Sequence, residues 1–255
     1  MKEEIQKTGQ NEMSFWGHLD VLRWAIIRIG AVTAVFLAGY FIAIPHIFDR
    51  FVLGPSRPDF FLYRWLGGFM GGDFSVDIIN ISVTSQFTTH ISTSFWLAAV
   101  TVFPYIIYEI WKFISPALYP REKKSVRPAF ILSTAMFYLG CAVGYCIVFP
   151  FTFRFLAEYQ VGSGIVNQIS LDSYMSNFLL MIFVMGLVFE LPVLAKALSA
   201  LGLFDRQFLK KYRRHAVVVL LILAAVITPT GDPFTLLVVS VPLYLLYEMA
   251  ILMVK

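Results

Sequence analysis

Apolar runs about twenty residues long, separated by polar connections, occupy most of this 255-residue chain. In a bilayer each backbone N–H and C=O must be satisfied within its own segment, and about 20 helical residues cover a hydrocarbon core of roughly 30 Å. The pattern predicts six such spans, at about 24–44, 94–114, 129–149, 174–198, 214–230 and 233–253. Prolines punctuate them: Pro45 is expected to end the first span, Pro104 to kink the second and Pro150 to close the third. The last two are expected to be short. The apolar run 216–227 gives roughly 18 Å of helix against a core of about 30 Å. The run after Asp232-Pro233 is interrupted by Pro242 and Glu248. These two segments either cross a locally thinned bilayer or form a re-entrant hairpin.

Between the first two spans, residues 45–92 form the longest polar region, with Pro55, Pro58, Gly67, Gly68, Gly71 and Gly72. It is expected to be an extracytoplasmic cap loop. Its later part, VDIINISVTSQFTTHIS, is β-branched and mixed, and fits a short strand or an amphipathic helix on the rim equally well. The amino-terminal KEEIQKTGQNEMS is polar and lacks the short apolar core of a cleavable signal. Insertion is therefore expected to rely on the internal spans.

Composition agrees with this reading. The chain is 58% hydrophobic and 14% charged, with mean hydropathy +0.74, whereas a soluble domain is about 45–50% apolar and about 25% charged. The net charge of +4 matters by where it sits. Lys112, Arg121, Lys123, Lys124 and Arg127 lie in one connection, and Lys196, Arg206, Lys210, Lys211, Arg213 and Arg214 in another; the opposite side has Arg50, Arg57, Arg64 and Arg154. That asymmetry places the two basic connections, and with six spans both termini, in the cytoplasm. The cluster at Lys210, Lys211, Arg213 and Arg214 reads as a topology signal with attraction for anionic lipid. No motif supports nucleic-acid binding. Cys141 and Cys146 lie five apart in one apolar run and read as packing residues. His18, His46, His90 and His215 show no metal-ligand spacing, and no phosphate-cradling glycine loop appears. The expectation is a protein without cofactor and without covalent chemistry.

The chemistry that remains is carried by carboxylates. Glu190 is the one acid in FVMGLVFELPVL, residues 183–194. At membrane depth an ionisable group costs about 2.5–3.5 kcal/mol on insertion scales, so it should face protein or water. Pro192 has no N–H for the carbonyl of Val188. Acid and freed carbonyl together suggest a wet groove; the alternative is a structural acid bonded to a neighbouring span. Glu122 lies among Arg121, Lys123 and Lys124, either as a binding carboxylate or as neutralisation of a basic patch. Asp20 is either a second binding acid or a residue favouring an early helix turn. Thr228, Asp232 and Glu248 surround the two short spans, as contacts for a partner helix or, for Asp232, as a cap before Pro233.

In IYEIWKFISPALYPREKK (107–124) and just before it, Pro104, Tyr108, Trp111, Phe113, Pro116, Leu118 and Glu122 stand in an order that resembles the signature of the TatC family, receptor subunits of the twin-arginine translocation system. FYLGCAVGYCIVFPFTFRFL, GLVFELPV, KKYRRH, TPTGDP and VPLYLLYE follow in order. SFWGHLDVLR resembles the opening His-Leu-x-Glu-Leu-Arg and supplies Arg23, but Val21 stands where the family has Glu, with Asp20 one residue earlier. Family members often have Gln shortly after the last Asp-Pro; here Phe234, Thr235 and Leu236 follow, leaving Thr235 to supply a polar contact or none.

The resemblance implies an all-α polytopic membrane protein of six helices in a concave, cup-shaped arrangement. It implies a receptor for Arg-Arg signal peptides of folded cargo, binding through Glu122, Asp20, Phe113, Arg23 and Trp111, with a groove at Glu190 and Pro192. TatA-type and TatB-type single-span partners, membrane lipids, self-association and a proton-motive force complete the expectation. A second function class stays open, an ion-coupled secondary transporter with Glu190 as the coupling carboxylate. An intramembrane hydrolase would need a nucleophile or paired acids in one site.

Overall fold

The computed structural model describes residues 15–66, 74, 76–162, 167–228 and 231–254. Among these, five helical segments are long and apolar enough to cross a membrane: Leu19–Arg64, Ser85–Ile114, Val126–Glu158, Leu171–Ala200 and Pro233–Met253. A sixth, shorter helix lies between the last two.

Helix α1, Phe15–Ile47, runs 33 residues and passes through Pro45. The expectation that Pro45 ends the helix fails for a local reason. A proline at 45 leaves the carbonyl of Phe41 without its helical donor. His90 fills the gap, its Nε2 lying 2.7 Å from the Phe41 oxygen while its ring stacks on the Phe41 ring at 4.0 Å. A carbonyl only accepts, so Nε2 carries the proton. The chain then turns through a wide turn at Phe48–Val52 and a tight one at Gly54–Ser56, into α2, Phe61–Leu66.

The 76–92 stretch contains both of the expected alternatives in sequence. Ile78–Ile79 is a two-residue strand, β1, paired in parallel with β2, Ile169–Ser170. Helix α3, Ser85–Ile114, then starts nine residues before the expected 94. The hydroxyls of its first turns are satisfied within the helix, which lets them be buried: Thr93 Oγ1 donates to the Thr89 carbonyl and Ser94 Oγ to that of His90, both at 2.7 Å.

The third crossing is a stack of α4, Pro120–Val143, a wide turn at Gly144–Val148, and α5, Phe149–Glu158. It does not close at Pro150: the wide turn runs directly into α5, and the helix continues through Pro150 to Glu158. The fourth crossing breaks where its sequence predicts strain: α6, Leu171–Val188, gives way at Phe189 and Glu190 to α7, Leu191–Ala200. After α8, Arg206–Lys211, come α9, Arg213–Ile227, and α10, Pro233–Met253. Only α9 is short. Helix α10 carries 21 residues straight through Pro242.

Helix α1 packs along α3, α4 against α6 and α7, α7 against α10, and α9 chiefly on α10. The tightest crossing, α4 on α6, rests on glycines. A Cβ on Gly140 would lie 2.5 Å from the Met185 carbonyl oxygen, and one on Gly186 would lie 2.7 Å from Cys141 Sγ. The α9–α10 hairpin reaches the Glu158 end of α5, where Phe234 stacks on Phe155 at 3.8 Å. Over α5 and α6 sits an aromatic cap: Tyr174 donates to the Val52 carbonyl at 2.6 Å and Tyr63 to that of Pro55 at 2.8 Å. Arg154, bound to Glu158 at 3.0 Å, lies over the rings of Tyr63 and Phe74.

Candidate functional site

The break between α6 and α7 aims Glu190 into a hollow of about 520 Å³. Helix α3 contributes Phe103, Ile107, Ile110 and Ile114; α4 contributes Val126, Ala129, Phe130 and Ser133; α6 and α7 contribute Leu187, Val193, Leu194 and their neighbours. Every lining side chain is apolar except Ser133 and Glu190. Ser133 Oγ donates to Glu190 Oε2 at 2.6 Å. The other carboxylate oxygen, Oε1, is buried and meets no donor among the described residues. A buried acceptor of this kind is completed by water or by a donor on whatever enters. Pro192, buried in the first turn of α7, fixes the angle of the break.

The hollow is lined at one end by Ile114, Leu118 and Val126, which flank the connection between α3 and α4. Glu122 belongs to that connection's far side, in the first turn of α4; its side chain, with that of Arg121, lies outside the described residues. Phe113 is half-buried in the last turn of α3. Trp111 packs on Phe130 at 4.8 Å, so it braces the hollow's wall. Asp20 and Arg23 are exposed one turn apart near the start of α1, and no ion pair joins either to a described residue.

An ion pair that sequence reasoning missed brings these elements into register. Arg28 donates from Nε to Glu109 Oε1 at 2.9 Å and from Nη2 to Oε2 at 2.6 Å. Tyr105 adds a third donor at 2.8 Å. Glu109 is 3% exposed and Arg28 38%. The signal was present: a cation near the start of one predicted span and an acid near the end of the next lie at matching depth in antiparallel helices. From this clamp Asp20 lies eight residues toward the chain start and Phe113 four residues on, so both sit at the same end of the bundle as Glu122.

Thr228, Asp232 and Glu248 do not form one site. Asp232 caps α10, accepting from the Thr235 N–H at 2.7 Å. Thr228 is buried at the hairpin tip, its hydroxyl 3.4 Å from the Ala225 carbonyl. Glu248 lies near the opposite end, bound to Arg213 at 2.6 Å and to Tyr244 at 3.1 Å. Thr235 is fully buried, which removes it as a contact for another chain. No three His, Cys, Asp or Glu side chains converge among the described residues.

The chain resembles known proteins over nearly its full length. The family described as Sec-independent protein translocase protein (TatC) matches residues 17–242. A Sec-independent protein translocase protein TatC of Blattabacterium sp. subsp. Periplaneta americana is 37% identical over 258 aligned positions, covering 96% of each chain. Another from Helicobacter pylori is 36% identical over 197, covering 77% of each. The crystal structure of a twin-arginine translocase receptor, TatC, superposes with a TM-score of 0.73 at 27% identity, covering 92% of this chain and 97% of that one.

Proposed function

The chain belongs to the TatC family and is a multi-pass membrane component of the Tat protein-translocation pathway, and from that premise we propose that it is the receptor for twin-arginine signal peptides. Glu122 takes the arginine pair, helped by Asp20 and Arg23 at the same end of the bundle. Trp111 braces, through Phe130, the wall of the hollow into which the peptide's apolar segment passes, Phe113 stands next to its lining residue Ile114, and Glu190 offers its unpartnered oxygen deep inside. TatA-type and TatB-type helices are the partners, both termini are cytoplasmic, and the proton-motive force drives transport of folded cargo.

Magnitudes divide the labour. An exposed carboxylate–guanidinium pair contributes about 0–1 kcal/mol. Each Leu or Phe taken from water into an apolar hollow contributes about 1.5–3 kcal/mol. Affinity therefore comes from the hollow, and discrimination from planar bidentate recognition that lysine does not reproduce. The observation carrying this reading is the apolar hollow of about 520 Å³ reaching Leu118 and Val126, beside the turn that holds Glu122.

The test uses single cysteines at 20, 113 and 122 in the full chain. An Arg-Arg peptide should protect all three from a maleimide and a Lys-Lys version should not. Glu122→Ala should abolish crosslinking of the Arg-Arg peptide; undiminished crosslinking removes the receptor assignment at this residue. The second reading, an ion-coupled carrier, draws on the buried free oxygen of Glu190. It requires substrate-dependent proton uptake by the chain alone in liposomes.

A further inference from the structure

On the end of the bundle opposite the peptide hollow, the wide turn after α1 and the tight turn before α2 enclose a second recess of about 480 Å³. Four charged side chains line it: Asp49, Arg50, Arg57 and Asp59. No ion pair or hydrogen bond joins any of the four side chains to another described residue, although both signs of charge are present. The recess is built, not incidental. Gly54 is buried at its base, where a Cβ would meet Tyr145 Oη at 3.2 Å. Tyr145 in turn donates to the Phe51 carbonyl at 2.9 Å and stacks on the Phe51 ring at 4.8 Å.

Its depth is that of a membrane surface. From Val126, at the inner rim of the peptide hollow, to Tyr145 the chain climbs nineteen helical residues, about 28 Å, against a hydrocarbon core of about 30 Å. Phe51 and Phe61, which flank the recess, are 43% and 52% exposed, in the manner of an interfacial aromatic belt. Arginines are sparse on this side of the chain. Arg154 is buried in the aromatic cap, yet Arg50 and Arg57 converge here.

We propose that this recess binds the headgroup of a zwitterionic phospholipid bearing a primary ammonium, a phosphatidylethanolamine, in the outer leaflet. The guanidiniums of Arg50 and Arg57 hold the phosphate oxygens in forked contacts. The carboxylates of Asp49 and Asp59 accept the ammonium N–H groups, and Phe51 and Phe61 border the first acyl carbons. The acids set the specificity: they repel a purely anionic headgroup, and a choline headgroup has no N–H to donate.

The full chain is reconstituted in vesicles containing equal amounts of phosphatidylethanolamine, phosphatidylcholine and phosphatidylglycerol with matched acyl chains. It is then exchanged into mild detergent, and retained lipid is measured by mass spectrometry. Phosphatidylethanolamine should be retained over each of the others by about fivefold, the equilibrium equivalent of one interfacial ion pair. Asp59→Asn should lose that preference and gain phosphatidylglycerol. Arg57→Gln should lose both. Both side chains are exposed, so the thermal unfolding midpoint should stay at the wild-type value and peptide crosslinking should be unchanged. Equal retention of all three lipids by the wild type overturns the proposal. So does a preference for phosphatidylglycerol, or an Asp59→Asn chain with the wild-type lipid ratio.

Discussion

Glu109 and Arg28 are worth more as a pair than either is tolerable alone. A carboxylate 3% exposed in a membrane helix is held by three donors, two from Arg28 and one from Tyr105. Removing one member leaves an uncompensated charge, whereas removing both leaves apolar packing. Glu109→Leu should therefore lower the unfolding temperature in detergent, and Arg28→Leu with Glu109→Leu should recover most of the loss. A double variant as unstable as the single would mean that the clamp is not the source of the effect. Glu190 poses the reverse case. Replacing it by Leu together with Ser133→Ala removes both ends of one hydrogen bond, which is close to neutral for stability. The variant should insert normally and still impair export; unchanged export would leave Glu190 a structural acid. The sequence made Glu190 legible because it stands alone in an apolar run. Glu109 was passed over because it sits among aromatic residues near a span end, where an acid looks cheap, and because its partner is 81 positions away.

Helices in this chain pass through Pro45, Pro104, Pro128 and Pro242 and break beside Pro192, and at Pro45 the fate of the orphaned carbonyl explains the continuity. Pro45 is accommodated because His90 supplies a donor to the Phe41 carbonyl. His90→Phe keeps the ring stack and removes the donor, and should cost about 1 kcal/mol, one net hydrogen bond. In a Pro45→Ala background the alanine N–H takes over, so the same substitution should cost almost nothing. Equal losses in both backgrounds, read by thermal unfolding, would refute the explanation. Gly140 argues packing at the same scale. With a Cβ there 2.5 Å from the Met185 carbonyl oxygen, Gly140→Ala forces α4 and α6 apart and should cost about 1–3 kcal/mol. Apolar runs in the sequence coincide with α1, α3, α4 to α5, α6 to α7 and α10, and Asp232 takes the capping alternative that its place before Pro233 offered. The early start of α3 at Ser85 was not legible in the sequence. Its β-branched residues weigh against a helix locally, and the packing along α1 that overrides them joins residues far apart in the sequence.

At the scale of the molecule, the question is whether the α9–α10 hairpin crosses the membrane with the rest. Fifteen residues of α9 give roughly 22 Å against a core of about 30 Å, and sequence alone left crossing and re-entry open. Two contacts bear on it. The Arg213–Glu248 pair ties the hairpin's base near the basic connections, and the Phe155–Phe234 stack places its tip level with the far end of α5. With the proposed orientation, eleven Lys and Arg in the two inner connections face four on the outer side, and a hairpin that crosses exposes its tip to the outside. In a chain with Cys141 and Cys146 replaced by Ala, a cysteine at Arg57 or Thr230 should react with an impermeant maleimide added to intact cells. A cysteine at Lys123 should react only once the membrane is opened. Labelling at Thr230 is the deciding measurement: a re-entrant hairpin would keep it silent from both sides, and a crossing one exposes it because a short α9 draws the bilayer thin around it rather than sinking its tip into the hydrocarbon.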